Sequence, residues 1–326
     1  MKKILAVVLM CALLTVSGCQ IGGREIVVTG VAGNRQVFTI GKKSCDIREA
    51  KVYLTNYRNI YGTAYGINLW DHDFGNHSLE EYVRGVALDE LTKIFCMELL
   101  AEQNEVTLTD EENKKVREAA KEYYGSLTDS EVAYMDISER DIADYYRRYA
   151  LAQKIYHYLT ESVNEEVSDD EARVMEVMQI YVTSAKNAAE VASKLAAEED
   201  FAAVAKNYNE KPAISVTVSR DELPPEVEEA AFELDNNQVS GKIETADGYY
   251  FIKCLNKYNV ELTEANKSKI VEKRENEVFD NAYDKLLVSL TSSFHEEAWN
   301  AIDLALDEEL NTNSFFAVFE QYCAEI

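Results

Sequence analysis

Asp200-Phe-Ala-Ala-Val-Ala-Lys-Asn-Tyr208 reads as a short helix between two β-branched runs, Val177-Met-Gln-Ile-Tyr-Val182 before it and Ile214-Ser-Val-Thr-Val218 after it. The first run is a continuous apolar stretch of strand length, as expected of a buried strand. Residues 184–197 form a helix that fills the gap between that strand and Asp200. Pro224-Pro225 stands where a third helix begins, because the fixed φ of proline suits a first helical turn. Residues 239–245 and 249–254 are two further strands, joined through the turn Ala246-Asp247-Gly248. The order β-α-α-β-α-β-β places a compact α+β unit with a four-stranded antiparallel sheet over 173–257, a length that can fold alone.

Upstream the period changes from strand to helix. Residues 47–65 read as a helix. Ser78-Leu-Glu-Glu81, Thr109-Asp-Glu-Glu112 and Ser138-Glu-Arg-Asp141 each open another, since the hydroxyl can accept an orphan amide and the acid can reach back. Ser168-Asp-Asp-Glu171 carries the same signal at the end of an acidic stretch, and a domain boundary is placed there. Residues 25–40 hold two β-branched runs around Gly30-Val-Ala-Gly-Asn34 and predict a hairpin. Beyond Lys257 the chain reads as helical to its end. Phe315, Phe316, Phe319, Tyr322, Cys323 and Ile326 share one face that docks on a core. The predicted domains are 1–18, 19–172, 173–257 and 258–326, the last packing back on the second.

The chain has 326 residues, with 59 acidic against 33 basic side chains and a formal net charge of −26. Such a surface repels phosphate backbones and argues against a nucleic-acid partner. Only 3 prolines and 13 glycines oppose a turn-rich all-β fold. Lys2 and Lys3 precede an apolar run over 4–16 that has the length of a signal h-region, short for a hydrocarbon core of about 30 Å. Val16-Ser-Gly-Cys19 then resembles a bacterial lipobox, which implies removal of 1–18, lipid on the Cys19 sulfur and anchoring on the extracytoplasmic face of the cell membrane. The spacing of Cys45, Cys96, Cys254 and Cys323 is neither CxxC nor CxxH, and they read as free packing residues. Asp71-His72-Asp73 with His77 lacks a ligand-spacing signature and reads as a solvated loop, so no metal site is assigned. The tyrosines fall mostly at helix-periodic positions and read as core.

Asp200 to Tyr208 is also similar to the second-helix motif of parvulin-type (PpiC) peptidyl-prolyl isomerases. Pro225-Glu-Val-Glu-Glu-Ala-Ala-Phe-Glu-Leu234 resembles that family's third helix, and Val239-Ser-Gly-Lys-Ile243 with Asp247-Gly-Tyr-Tyr-Phe-Ile-Lys253 its closing strands. The layout of a lipobox, helices before the unit and helices behind it is similar to SurA- and PrsA-like extracytoplasmic foldases. It implies an α+β chain with a mainly helical chaperone-like domain beside a small parvulin-like one.

The family's reaction needs no cofactor, nucleophile or metal. An apolar cup for the proline ring, with hydrogen bonds that favour the twisted amide, lowers a barrier of about 18–20 kcal/mol. Parvulins carry a histidine on the first strand, another on the last, a cysteine or aspartate between, and a Met/Leu and Phe grip on the ring. The resemblance places Gln179 and Tyr250 at the histidine positions and Leu223 and Val227 at the grip, with Phe232 beside them. Residues 211–218 replace a Gly-Asp-Leu-Gly stretch, without a cysteine or aspartate in the middle position. Gln179 and Tyr250 are expected to bond to each other across adjacent strands.

The expected function is a membrane-anchored folding factor for unfolded or nascent secreted polypeptides, with isomerase activity weak or absent. The alternatives are an active isomerase using the changed residue set and a structural adaptor lipoprotein. The repeated βαβ units of a solute-binding lobe are missing.

Overall fold

A computed structural model describes residues 20–21, 24–25, 35–65, 78–304 and 309–326. Cys19, the leader before it, and the Asp71, His72, Asp73 and His77 group lie outside the described residues. In chain order the elements are β1 (Gln20–Ile21), β2 (Arg24–Glu25), β3 (Gln36–Ile40), β4 (Lys43–Asp46), α1 (Ile47–Tyr65), α2 (Leu79–Gln103), α3 (Asp110–Ser126), α4 (Asp129–Met135) and α5 (Glu139–Thr160). They continue with β5 (Met175–Val182), α6 (Ala185–Ala196), α7 (Phe201–Tyr208), β6 (Ser215–Val218), α8 (Pro225–Phe232), β7 (Ile243–Thr245) and β8 (Gly248–Asn256). Last come α9 (Val260–Ser289), β9 (Ser292–Phe294), α10 (Glu296–Asn300) and α11 (Phe315–Cys323). The chain divides into two compact units, Met1–Glu161 with Val278–Ile326, and Ser162–Glu277.

The first unit is mainly helical. Ser78, Thr109 and Ser138 each form the reciprocal capping box with the acid three residues on. Thr128 and Glu131 form a fourth box, which opens α4. Glu131 is buried, and its other carboxylate oxygen accepts from the backbone N–H groups of Asn311 and Thr312. Strands β4-β3-β9 make a three-stranded sheet.

One sequence expectation fails in this unit. The chain is not helical to its end, because Ser292–Phe294 is a strand paired with Ile40, Thr39 and Phe38. Gln36–Ile40 forms a hairpin with Lys43–Asp46 through Gly41-Lys42, and the hairpin expected over 25–40 falls largely on residues 26–34, which lie outside the described set. Gly41 sits at φ 55°, where a side chain would be strained, and a Cβ there would stand 3.1 Å from Leu290 Cδ2.

Helix α11 supplies the centre of the first core. Phe315 is 0% exposed, and its ring lies 4.5 Å from Tyr146, 5.2 Å from Tyr123 and 5.3 Å from Tyr53. Its N–H donates to Asn56 Oδ1 at 3.0 Å, and Tyr146 Oη donates to its carbonyl at 2.6 Å. Asn56 Nδ2 donates in turn to Tyr123 Oη at 2.8 Å, so the start of α11 is held by a satisfied buried polar chain. The tyrosines named here pack as core, as their periodicity indicates.

A charged group also lies inside this unit. Arg148 donates to Glu49 and, at 2.9 Å, to Glu98, while its guanidinium stacks 4.0 Å from the Phe95 ring centroid. Lys43 completes the group at 2.8 Å from Glu98 and 2.6 Å from Glu102.

The second unit is built on one antiparallel sheet of order β6-β5-β8-β7. Alternation along β5 and β8 gives it two apolar faces. Ile180, Val182 and Phe251 pack with Val191, Phe201 and Val204 of α6 and α7 on one side. Met175, Val177, Tyr250, Ile252 and Cys254 pack with Val227, Ala231 and Phe232 of α8 on the other. The predicted strand over 239–245 is ordered as β7 only from Ile243, preceded by a single bridge of Val239 to Lys253. Ser168 accepts from Glu171 N as a cap would, but the turn leads into β5 and not into a helix, because the β-branched run after it takes over.

Cys45, Cys96, Cys254 and Cys323 are free and buried. Burial pushes the Cys96 and Cys323 thiols up to about 11, which leaves little thiolate at neutral pH. Among the described residues no helix is long and apolar enough to cross a membrane.

Candidate functional site

The α8 face of the second sheet carries the residues that the family resemblance singles out. In the β5–β8 register Gln179 lies opposite Ile252, and Tyr181 opposite Tyr250. Gln179 and Tyr250 are therefore on adjacent strands and on the same face, displaced diagonally, with exposures of 6% and 4%. The bond expected between them is not formed. Gln179 Nε2 donates to Ala213 O at 3.1 Å, because the backbone of the 209–214 loop reaches the amide before the offset tyrosine does.

That loop is stitched to β5 by short-range polar chemistry. Tyr181 N donates to Asn209 Oδ1 at 3.0 Å and Gln179 N to Ile214 O at 2.8 Å. Glu210 N donates to Tyr181 O at 2.9 Å, and Asn209 Nδ2 donates to Lys211 O at 2.8 Å. Gln179 thus fixes a loop and is itself occupied.

Around Tyr250 the partly buried Tyr181, Val216, Leu223 and Ile243 form an apolar rim. The rings of Tyr181 and Tyr250 are 4.8 Å apart and tilted by 50°. Tyr181 Oη donates to Asp247 O at 2.6 Å, which leans the ring over Gly248. A Cβ on Gly248 would stand 2.7 Å from Val182 O and 2.9 Å from the Tyr181 ring. Gly248→Ala is therefore expected to destabilise the second unit by about 1–3 kcal/mol through overpacking. Hydrogen exchange at the β8 amides measures this, and unchanged protection would contradict it.

Leu223, Val227 and Phe232 all join the Tyr250 cluster, but unequally. Leu223 keeps some exposure, whereas Val227 is 0% exposed and forms the floor. Phe232 is 6% exposed and lies under two guanidinium groups, Arg220 at 4.0 Å and Arg173 at 4.8 Å from its ring centroid. Sequence reasoning missed Tyr181 and Lys211. Tyr181 follows Gln179 by the strand period of two, a signal that was available. Lys211 Nζ stands 5.0 Å from the Tyr250 centroid and 5.4 Å from that of Tyr181. The site's partly buried groups are apolar or aromatic: Tyr181, Val216, Leu223 and Ile243. Its remaining polar groups are the Lys211 ammonium and the Tyr250 hydroxyl.

This sheet, the three helices around it and the cup on its α8 face define a PPIC-type unit, and the PPIC-type PPIASE domain family matches residues 137–267. A Foldase protein PrsA of Geobacillus kaustophilus is 30% identical over 200 residues, which are 58% of this chain and 68% of that one. Foldase protein PrsA 3 of Bacillus anthracis is 25% identical over 98% of this chain and 97% of its own. A crystal structure of a peptidylprolyl isomerase (PrsA) from Bacillus cereus is 21% identical and covers 88% of this chain and 100% of its own, at a TM-score of 0.41. The chain belongs to the PrsA family of extracytoplasmic foldases.

Proposed function

We propose that the protein is a foldase anchored through lipid on Cys19, which holds unfolded or nascent secreted polypeptides and has weak or absent isomerase activity. The observation that carries this reading is the cup itself. Apolar rim and floor are retained around Tyr250, while the position of the first family histidine is filled by Gln179, whose amide is committed to Ala213 O. Burial of apolar client side chains needs only the rim and floor. Stabilising a twisted amide needs aimed polar donors, and the imidazole pair that would orient them is gone. The basic, apolar and Val16-Ser-Gly-Cys19 pattern of the leader supports the anchor.

A protease-coupled isomerisation assay on an X–Pro peptide tests the activity. Acceleration below about tenfold is expected, less than about 1.4 kcal/mol off the barrier, together with suppressed aggregation of an unfolded secreted client at equimolar protein. Acceleration by several orders of magnitude would sink the first half of the reading, and unchanged aggregation the second. Incorporation of labelled palmitate, lost in Cys19→Ala, tests the anchor.

A further inference from the structure

We infer that the outer edge of β6 binds an extended, neutral or basic client segment as a fifth, antiparallel strand of the second sheet. This rests on the client-holding role proposed above. β6 is one edge of the sheet of order β6-β5-β8-β7. Gln179 N donates to Ile214 O in the β5–β6 register, which makes Ile214, Val216 and Val218 the positions bonded to β5. Ser215 and Thr217 therefore turn their backbone N–H and C=O groups away from the sheet. Both residues are exposed, and none of these groups meets a partner among the described residues. The open stretch ends where the chain supplies its own partners. Ser219 N donates to Glu222 Oε2 at 2.7 Å, and Ala213 O accepts from Gln179 Nε2 at 3.1 Å.

Edge strands are commonly blunted by a charge, a proline or a bulge. Ser215-Val-Thr-Val218 carries none of these, and its pairing with β5 is regular. The opposite edge strand, β7, carries Glu244, paired with Lys242 at 3.8 Å. The net charge of −26 opposes a second copy of the chain at this edge and attracts a neutral or basic segment. An unfolded segment also brings free backbone donors and acceptors, which strand addition requires.

Addition opposite Ser215 and Thr217 uses the N–H and C=O groups of two client residues, i and i+2. Residue i+1 falls opposite Val216, and its side chain joins the face that carries Val216 and Tyr250. Its own N–H points away from β6. The edge thus prefers an apolar residue at i+1 and accepts proline there, while proline at i or i+2 removes a needed donor.

The fluorescein-labelled peptide Lys-Thr-Val-Thr-Lys, N-methylated at one residue at a time, tests the inference when titrated with the whole protein and followed by anisotropy. N-methylation of either threonine is expected to weaken binding about five- to tenfold, and that of the valine less than about twofold. Thr217→Pro removes an outward N–H and keeps the bonds to β5, so it lowers affinity by a similar factor while hydrogen exchange at the β8 amides stays as in the wild type. If that exchange changes, the N-methyl series alone decides. Equal sensitivity at the three positions, or the reverse pattern, would overturn the inference. So would a dimer in sedimentation that Thr217→Pro dissolves, which would place a second copy on the edge. No peptide binding with client aggregation still suppressed would overturn the edge and leave the holding role standing. Failure of both would remove the holding role, and this inference with it.

Discussion

Phe315→Ala is expected to lower the stability of the first unit by about 3–5 kcal/mol, the cost of truncating a fully buried phenylalanine. The ring meets Tyr146, Tyr123 and Tyr53, and it also meets Phe316 at 5.2 Å, edge to face. Each such pair adds about 0.5–1.5 kcal/mol beyond its area, so the variant belongs at the upper end of the range. The backbone bonds from Tyr146 and to Asn56 remain possible, so the loss is one of packing. Neither of the two tryptophans, Trp70 and Trp299, falls within the stretch Ser162–Glu277 of the second unit, and Trp299 is 3% exposed. Tryptophan fluorescence in urea therefore reads the first unit specifically, and its midpoint should fall by about 1–2 M. A shift of a few tenths of a molar would mean that α11 is not the centre of this core.

Arg148→Met should cost a similar amount, about 3–5 kcal/mol, because it leaves Glu49 without its cation and Glu98 with Lys43 alone. Methionine keeps the aliphatic stem but not the guanidinium stacked on Phe95, so the loss combines the charge with that stacking. The dependence on pH has a definite sign. Burial holds the Glu49 carboxyl above its ordinary value even against the pull of Arg148. A raised carboxyl favours the fold fully below its unfolded value, and that contribution is lost as pH rises through the folded value. Without Arg148 the folded value climbs further. The variant's deficit relative to wild type is therefore largest near about pH 7 and shrinks by at least about 1 kcal/mol towards about pH 5. A deficit that stays constant between the two would show that the unpaired carboxylate regains water by another route.

How much of this was readable beforehand depended on the range of the interaction. Helix α1 runs over the predicted 47–65, and the boxes at Ser78, Thr109 and Ser138 form as read, because a cap is decided within four residues. The Thr128–Glu131 box has the same local signature and went unread. Ser168 shows the limit of that signature, since a cap can form where the next residues prefer a strand. Strand β9 left no trace in its own three residues, and its partner β3 lies some 250 positions earlier. In the second unit the strand alternation and family motifs brought Gln179, Leu223, Val227, Phe232 and Tyr250 to one face. The rotamer that sends the Gln179 amide to Ala213, and the swing of Lys211 over two rings, depend on loop geometry that no periodicity encodes. The Glu49–Arg148–Glu98 group was likewise invisible, since each residue alone looks like one more charge on a helix.

The first unit is assembled from the two ends of the chain, with β9 completing the sheet begun by β3 and Phe315 closing the core that α1 and α5 open. A polypeptide threaded outward from its N-terminus presents the whole of the second unit before the last strand and the last helix have appeared. The order of assembly is then fixed by topology. The inserted unit can mature at once, while its host waits with unfilled aromatic pockets until the final residues arrive. During its synthesis the first unit thus passes through the condition of its own incomplete chain, with apolar surface exposed and α11 still to come.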